Sequence, residues 1–564
     1  DGMHEDTSHA LYITESKANI HMRYSDGQDN EDFFPLKDIQ DPDINVWKAG
    51  PRLFSYNTDY DAKMNVRPVV AFNHLNKVSA QSDFPTRIIR SVPHNQSGLT
   101  DSFRMYNSAQ YRDLPRHRGE LWNLAVFENV LLPQTERTLL KTRGKETLKT
   151  GESGAADVTE LALGDGNLFK HDPSEVLYTS RGHAGTTSQY AVVTCKYGHF
   201  SVDKQAGKVF LLGEKLEEIS ALGMREFLFR RLTTWGLTDY GMPTNLDIPT
   251  AGLGIIASWD PEYERFVLTK RDYAPTTSFT SNYNTGSTPI VWDNTERHYK
   301  FSSTGVKVHW TNTTYFTPYS WTISYYPALK FWGSLHDFTP TLYFYTSEKL
   351  YSMNEGSNHI NVHNYEDTTS PYYNIATYYG TDYDVVFEYI SNVQPDDNKK
   401  YTSFYYTVDV EEPSNQEEGA RVEVQDPGFD TFYVYNSRQM SRGTPFIVAD
   451  GQYNLIQTTA NIRRKERTWY CSDFRDDMEQ TNGLTSTMTT GTPGNILTTN
   501  YLTSLITINS AALDLTKDWN ERRKFVDKWM AVRLIMNTSN ITSTSGKNLV
   551  TLHSADAAYK PTYR

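Results

Sequence analysis

The sequence predicts a mainly β fold of antiparallel hairpins and meanders, propeller-like, with minor helical insertions. Three observations carry this. Runs of β-branched and aromatic residues recur, each pair broken by a polar turn of about four residues. Tyrosine (38), phenylalanine (26) and tryptophan (11) are abundant, and such side chains suit half-exposed sheets and broad contact surfaces. Clear helical periodicity is confined to one main stretch.

In chain order, Asp1 to about Ala80 reads as a polar, turn-rich segment with an acidic patch, Ser25 to Phe34. Asp26, Asp29, Glu31 and Asp32 in it lack the alternation and central glycine of a calcium loop, so the patch reads as a solvated loop. Residues 81–390 form the expected β-rich, propeller-like core. Leu121, Leu124, Val126 and Phe127 suggest a short helix leading into a strand at Val130 to Leu132, and Arg116 to Arg118 read as a salt-bridging surface beside Glu120. Gly164-Asp165-Gly166 lacks the third glycine and following helix of a nucleotide loop and reads as a β-turn.

"YAVVTCKYGHFSVDKQAGKVFLLG" (Tyr190 to Gly213) gives three strands broken at Lys196 to Gly198 and Asp203 to Gly207. A helical insertion follows near 214–232, with Leu216, Ile219, Leu222, Phe227 and Phe229 as its buried positions and Gly223 weakening its middle. "SWDPEYERFVLTKRD" (Ser258 to Asp272) is a hairpin whose turn starts at Asp260-Pro261 and whose second strand is ended by charges. Trp321 to Asp337 breaks at Pro327, and Thr341 to Asn354 turns at Thr346 to Lys349.

Residues 391–564 form the expected C-terminal β-rich domain. Gln394 to Lys400 and Val410 to Gly428 read as loops, and strands resume at Thr431 to Met440, Asn461 to Asp477 and Arg522 to Asn537. The Thr-, Gly- and Asn-rich stretch 481–504 reads as a flexible, exposed insertion, or one ordered only by a neighbouring subunit, with Leu497, Tyr501 and Leu502 able to anchor it.

A formal charge of −13 argues against nucleic-acid binding by phosphate neutralisation, although an acidic wall still lets DNA slide past. Cys195 and Cys471 are too few for a disulfide framework or metal cluster, and read as a single disulfide or, preferably, as buried small hydrophobes. No apolar run reaches membrane-spanning length. The start at Asp1-Gly2 suggests a piece of a longer polypeptide.

Catalytic signatures, cofactor loops and metal motifs are missing, so no catalytic, cofactor-binding or metal residue is assigned and no enzyme is expected. His359 and His363 stand four apart in "HINVH", but their asparagine-rich setting reads as a turn-edge segment and not a zinc-binding helix. Asp260 and Glu262 are the obvious pair for a glycosidase dyad, yet turn chemistry accounts for both.

In order along the chain, "SDFPTRIIRS", "GELWNLAVFENVLLPQTERTLL", "LALGDGNLF", "FSVDKQAGKVF", "GMREFL", "IIASWDPEYERFVLTKRD", "YYPALKFWGSLHDFTPTLYFYTSEKLYSMN", "NIRRKERTWYCSDFRDD" and "KFVDKWMAVRLIM" resemble the muzzle (tail nozzle) proteins of crAss-like bacteriophages, from about Ala80 to the end. The resemblance implies a virion tail protein at the distal nozzle, assembled with itself in a ring, sixfold, around the DNA exit channel. It implies contact with other tail and hub proteins and with genome DNA that passes without specific binding. The alternative is a glycan-binding or carbohydrate-active β-propeller, with a bacterial adhesin as a third reading.

Overall fold

The computed structural model describes residues 84–90, 111–142, 172–413, 428–477 and 521–562 with internal breaks, together with short paired strands outside these ranges. The fold is mainly β, and its sheets are antiparallel. Two compact units divide the chain. One holds Asp1–Gln189, Gly198–Asp203 and Val209–Glu217, and the other Tyr190–Tyr197, Lys204–Lys208 and Glu218–Arg564.

In the first unit, β1 (Arg87–Ile89) pairs with β2 (Tyr111–Asp113). Arg87 donates to both Asp113 carboxylate oxygens at 2.7 and 2.8 Å, its guanidinium lying against the rings of Phe84 and Tyr111. The predicted helix at Leu121 is instead β3 (Leu121–Phe127), a hairpin with β4 (Val130–Thr135). The governing period is two: Leu124 and Val126 face solvent, while Ala125 and Phe127 pack on a core of Leu132, Leu139, Ala184, Phe210 and Leu212. Strands β5 (Gly198–Asp203) and β6 (Lys208–Leu212) form another hairpin.

In the second unit the insertion predicted near 214–232 is helical only in part. Leu216–Glu218 is extended, Ile219–Ala221 is a 3-10 turn, and α1 spans Arg225–Thr233. Gly223 sits at φ +83°, a left-handed conformation that stops helix before it and resets the register after it. Leu228 and Leu232, one turn apart, therefore carry the buried face, and Leu222 and Phe229, expected inside, are exposed.

The opening hairpin of the central sheet forms as expected. β7 (Gly254–Asp260) pairs in full register with β8 (Arg265–Arg271), and β8 pairs with β9 (Trp321–Tyr326), which pairs with the edge strand β10 (Phe331–His336). Lys270, Arg271 and Asp272, read from sequence as charges that end the strand, are all buried. Alternation gives this sheet two faces. Phe227 of α1 meets Trp321 edge to face, and Trp332 donates to the Ile219 carbonyl, so the helical segment covers one of them. Ile256 and Val267 on the other face pack with Phe338, Tyr343 and Leu350. Tyr343 and Leu350 belong to a three-stranded outer sheet, β11 (Leu342–Tyr345), β12 (Leu350–Met353) and β13 (Ile360–Val362). The predicted turn of its first hairpin closes with the Thr346 N–H donating to the Lys349 carbonyl at 3.0 Å.

Farther along, β14 (Val385–Ser391), β15 (Lys399–Pro413), β16 (Thr431–Tyr435), β17 (Asn461–Lys465), β18 (Thr468–Ser472), β19 (Met530–Met536) and β20 (Leu549–Pro561) make two sheets around one core. Inward-facing residues of β15 and β18, among them Phe404, Tyr406, Val408 and Trp469, meet Phe432, Val434, Val532 and Leu534 of β16 and β19. A bulge between Tyr401 and Ser403 resets the alternation of β15, which lets both Tyr401 and Phe404 point inward. The stretch Val410 to Gly428, expected as loop, instead pairs Glu411–Pro413 with Arg421–Glu423. Its density of charge suits a solvated edge as well as a loop. Glu466 and Arg467 both take positive φ in the two-residue turn between β17 and β18, the backbone of a type I′ hairpin.

No disulfide joins Cys195 and Cys471, and Cys471 lies inside this core. The acidic patch Ser25 to Phe34 lies outside the described residues apart from Asp32–Phe33, which pairs with Arg23–Tyr24, and Gly164 to Gly166 lie outside them altogether. Stretch 481–504 also lies outside them, except that Leu497–Thr498 pairs with Thr507–Ile508.

Both chain ends leading to that stretch are clasped. The Asp476 N–H donates to the Arg523 carbonyl at 2.9 Å, and Arg522 and Asp477 form a buried ion pair. Deleting Thr481 to Gly494 is therefore expected to leave the two-sheet core folded, with near-UV circular dichroism unchanged and Tm within about 2 °C of the parent. Loss of the cooperative transition would mean that the stretch belongs to the core.

Candidate functional site: buried charges and exposed sheet faces

A cluster of buried charge in the second unit surrounds Lys270. Strand alternation sends its side chain to the α1 side of the central sheet, where it is almost fully buried. Its ammonium donates to the Arg231 carbonyl at 2.7 Å and to the Thr234 carbonyl, stands 3.0 Å from Asp272, and lies over the Trp235 ring at 4.1 Å. Burial pulls the ammonium below its ordinary range, and the Asp272 carboxylate opposes that shift. Asp272 also accepts from the Gly236 and Tyr273 N–H groups. Nearby, Lys204 and Asp247 form a second buried pair at 3.3 Å, and Asp247 accepts from the Ile255 N–H.

This arrangement is not that of a nucleophilic lysine. All three ammonium protons are engaged, and two of them satisfy carbonyls at the C-terminal end of α1, where cations are favoured. The chemistry is that of a helix clamp.

On the opposite face, Asp260 is fully buried and accepts from Arg265 at 2.8 Å and from Asn364 at 3.1 Å. Glu262 is held instead by Lys349 at 2.9 Å. The two members of the nominated dyad thus occupy separate ion pairs, one inside and one at the surface. His359 and His363 also separate. They flank β13, with His359 exposed and His363 buried, its Nε2 within 2.8 Å of Ser352 Oγ and its ring against Phe338. Burial lowers the His363 pKa to about 4, and does the same to His199 in the first unit. Among the described residues no group of three or more His, Cys, Asp or Glu side chains is placed to hold a metal, and no helix is long and apolar enough to cross a membrane.

Arg118, in the short 3-10 turn of Arg116–Arg118, is buried. Its partner is Glu175, reached by two hydrogen bonds of 2.8 and 3.0 Å, and not the neighbouring Glu120. Exposed sheet faces among the described residues carry apolar side chains as well. Phe331 and Leu335 on β10, and Phe344, Ile360 and Val362 on the outer sheet, are large apolar side chains in solvent.

Sequence reasoning missed Lys270 and Asp272 as a site. The available signal was a run of three charges directly after the four residues Phe266 to Thr269 of a strand, with no turn former between them.

Replacing Lys270 by Met leaves Asp272 buried without its counter-charge, and is expected to cost about 3–5 kcal/mol in denaturant unfolding, part of it recovered in the Lys270→Met/Asp272→Asn double variant. Equal losses in the single and double variants would refute the coupling. For pH, His363 is neutral when folded and binds a proton more readily when unfolded. Its contribution is therefore complete above about pH 6.5 and is lost as pH falls toward 4, about 3 kcal/mol in all. Unfolding titrations of His363→Gln should show a shallower acid slope; an unchanged slope would assign the acid sensitivity elsewhere.

Comparison with curated proteins gives no match. A family model described as Crassvirus muzzle protein matches residues 3–356, starting well before Ala80 and taking in the first unit, the central sheet and the outer hairpin β11–β12. That is more than half of the chain, and the protein belongs to the Crassvirus muzzle protein family.

Proposed function

We propose that this phage structural protein is a subunit of the tail nozzle, closing with its copies into a sixfold ring around the DNA exit channel and meeting other tail and hub proteins. The observation that carries the reading is the family match over residues 3–356. The structure supports it in kind: the ionic clusters of the second unit are engaged in holding strands and helix together, and apolar sheet faces remain exposed. Heterologous contacts that close produce rings, and a chain of net charge −13 suits a channel that DNA traverses without being held.

The propeller-like grouping belongs to the same proposal, since four-stranded antiparallel sheets such as β7–β10 are the units from which blades are built. So does the division 1–80, 81–390 and 391–564; β15 to β20, which share one core, all lie in the last of these. No catalytic activity is part of this reading.

The test is particle composition. Purified virions should contain the chain at one stoichiometry, six copies per tail, and antibody against it should decorate the distal tail. Its absence from particles, or its presence only as a free monomer in lysates, would end the proposal.

A further inference from the structure

The outer sheet β11–β12–β13 turns two apolar rows to solvent. Its registers place Leu342, Met353 and Ile360 side by side, and Phe344, Tyr351 and Val362 side by side in the next row of the same face. All six are apolar or aromatic. Phe344, Ile360 and Val362 are 38, 57 and 40 % exposed, and the Phe344 and Tyr351 rings stack in parallel at 5.0 Å.

The opposite face packs Leu350 and Tyr343 into the core and carries polar groups that have partners there. The Tyr343 hydroxyl is 2.7 Å from Thr269 Oγ1, and Ser352 Oγ is 2.8 Å from both the Tyr379 hydroxyl and His363 Nε2. A sheet with one solvated face ordinarily turns its polar residues to water. Here the polar residues already have partners inside, and the apolar rows face out.

We propose that this outer face is a subunit contact, covered in the assembled particle by a second copy of the same chain. The inference rests on the ring-forming reading and identifies one of its interfaces. Three observations favour a copy of the chain as the occupant. The six residues carry no charge, and two chains of net charge −13 repel least where neither presents a charge. Three strands and two rows span roughly 200 Å², far below the about 800 Å² per partner of a stable pair, which suits a contact maintained by ring closure and not a free dimer.

The third observation is a second apolar surface on the same unit. Phe331 is exposed on β10, with Tyr326 stacked on it at 5.1 Å and laid over Gly333, where a Cβ would collide with the Tyr326 ring; Leu335, also exposed, pairs with Ile323 and lies on the other face of the strand. β10 is the edge strand at the far side of the central sheet from β7. Two unlike apolar surfaces on one unit are what a head-to-tail contact requires.

The test uses the full chain. Wild type, Ile360→Lys/Val362→Lys and Ile360→Thr/Val362→Thr are compared by sedimentation over a range of concentrations, with circular dichroism confirming the fold. The Thr pair keeps β-branched residues, so it stays informative should the Lys pair misfold. Assembly is expected to weaken at least tenfold in the Lys pair and less in the Thr pair. A photo-crosslinker at Phe344, in an equal mixture of isotopically light and heavy chains, should give light–heavy crosslinks. Folded variants that assemble like wild type, or crosslinks confined to single chains in an assembling sample, overturn the interface and leave the ring reading standing. A wild-type chain that stays monomeric and gives no inter-chain crosslink overturns both.

Discussion

The buried ammonium of Lys270 is the constraint around which the second unit is arranged. A charge removed from water must be met by partners fixed in place, and those partners come from separate parts of the chain: the end of α1, the Trp235 ring and the residue just past β8. Once Lys270 occupies that position, α1 cannot slide along the sheet without exposing a charge to an apolar interior. The weak start of α1, with no side-chain cap at Met224, is tolerable because its other end is clamped.

Strand β8 also carries this constraint to the other face of the sheet. Arg265 at its start is held by Asp260, and Asn364 reaches the same carboxylate from just beyond β13. Thr269, one residue before Lys270, faces the opposite way and meets Tyr343 of the outer sheet. One strand therefore ties the helical layer to one face and the outer sheet to the other. On the same inner face, Ser352 is held by His363 and Tyr379.

The C-terminal sheets reach the same rigidity by different means. Their core is aromatic, with Phe404 edge to face on Phe432 and Tyr406 stacked on Trp469, and bulges keep these rings inward along the long strand β15. Rigid sheets held by interior contacts present fixed surfaces, as the proposed role requires.

Much of this was legible in the sequence because hairpins are local. Asp260-Pro261, Pro327 and Thr346 to Lys349 mark their turns by residue chemistry, and the strands on either side pair across only a few residues. The ordered set of segments was enough to indicate the family. Leu121 to Phe127 was misread because a short apolar run fits a helical spacing as readily as a two-residue one until its partner strand is known. Tertiary structure alone decided that Lys270, Asp272, Asp260 and Arg118 are interior, that His363 is neutral, and that Ile360 and Val362 are outside. Each of these depends on residues tens of positions away in the chain. Charge in a sequence reads as surface and apolarity as core; which charge finds a counter-charge, and which apolar row is left uncovered, is fixed only when the layers meet.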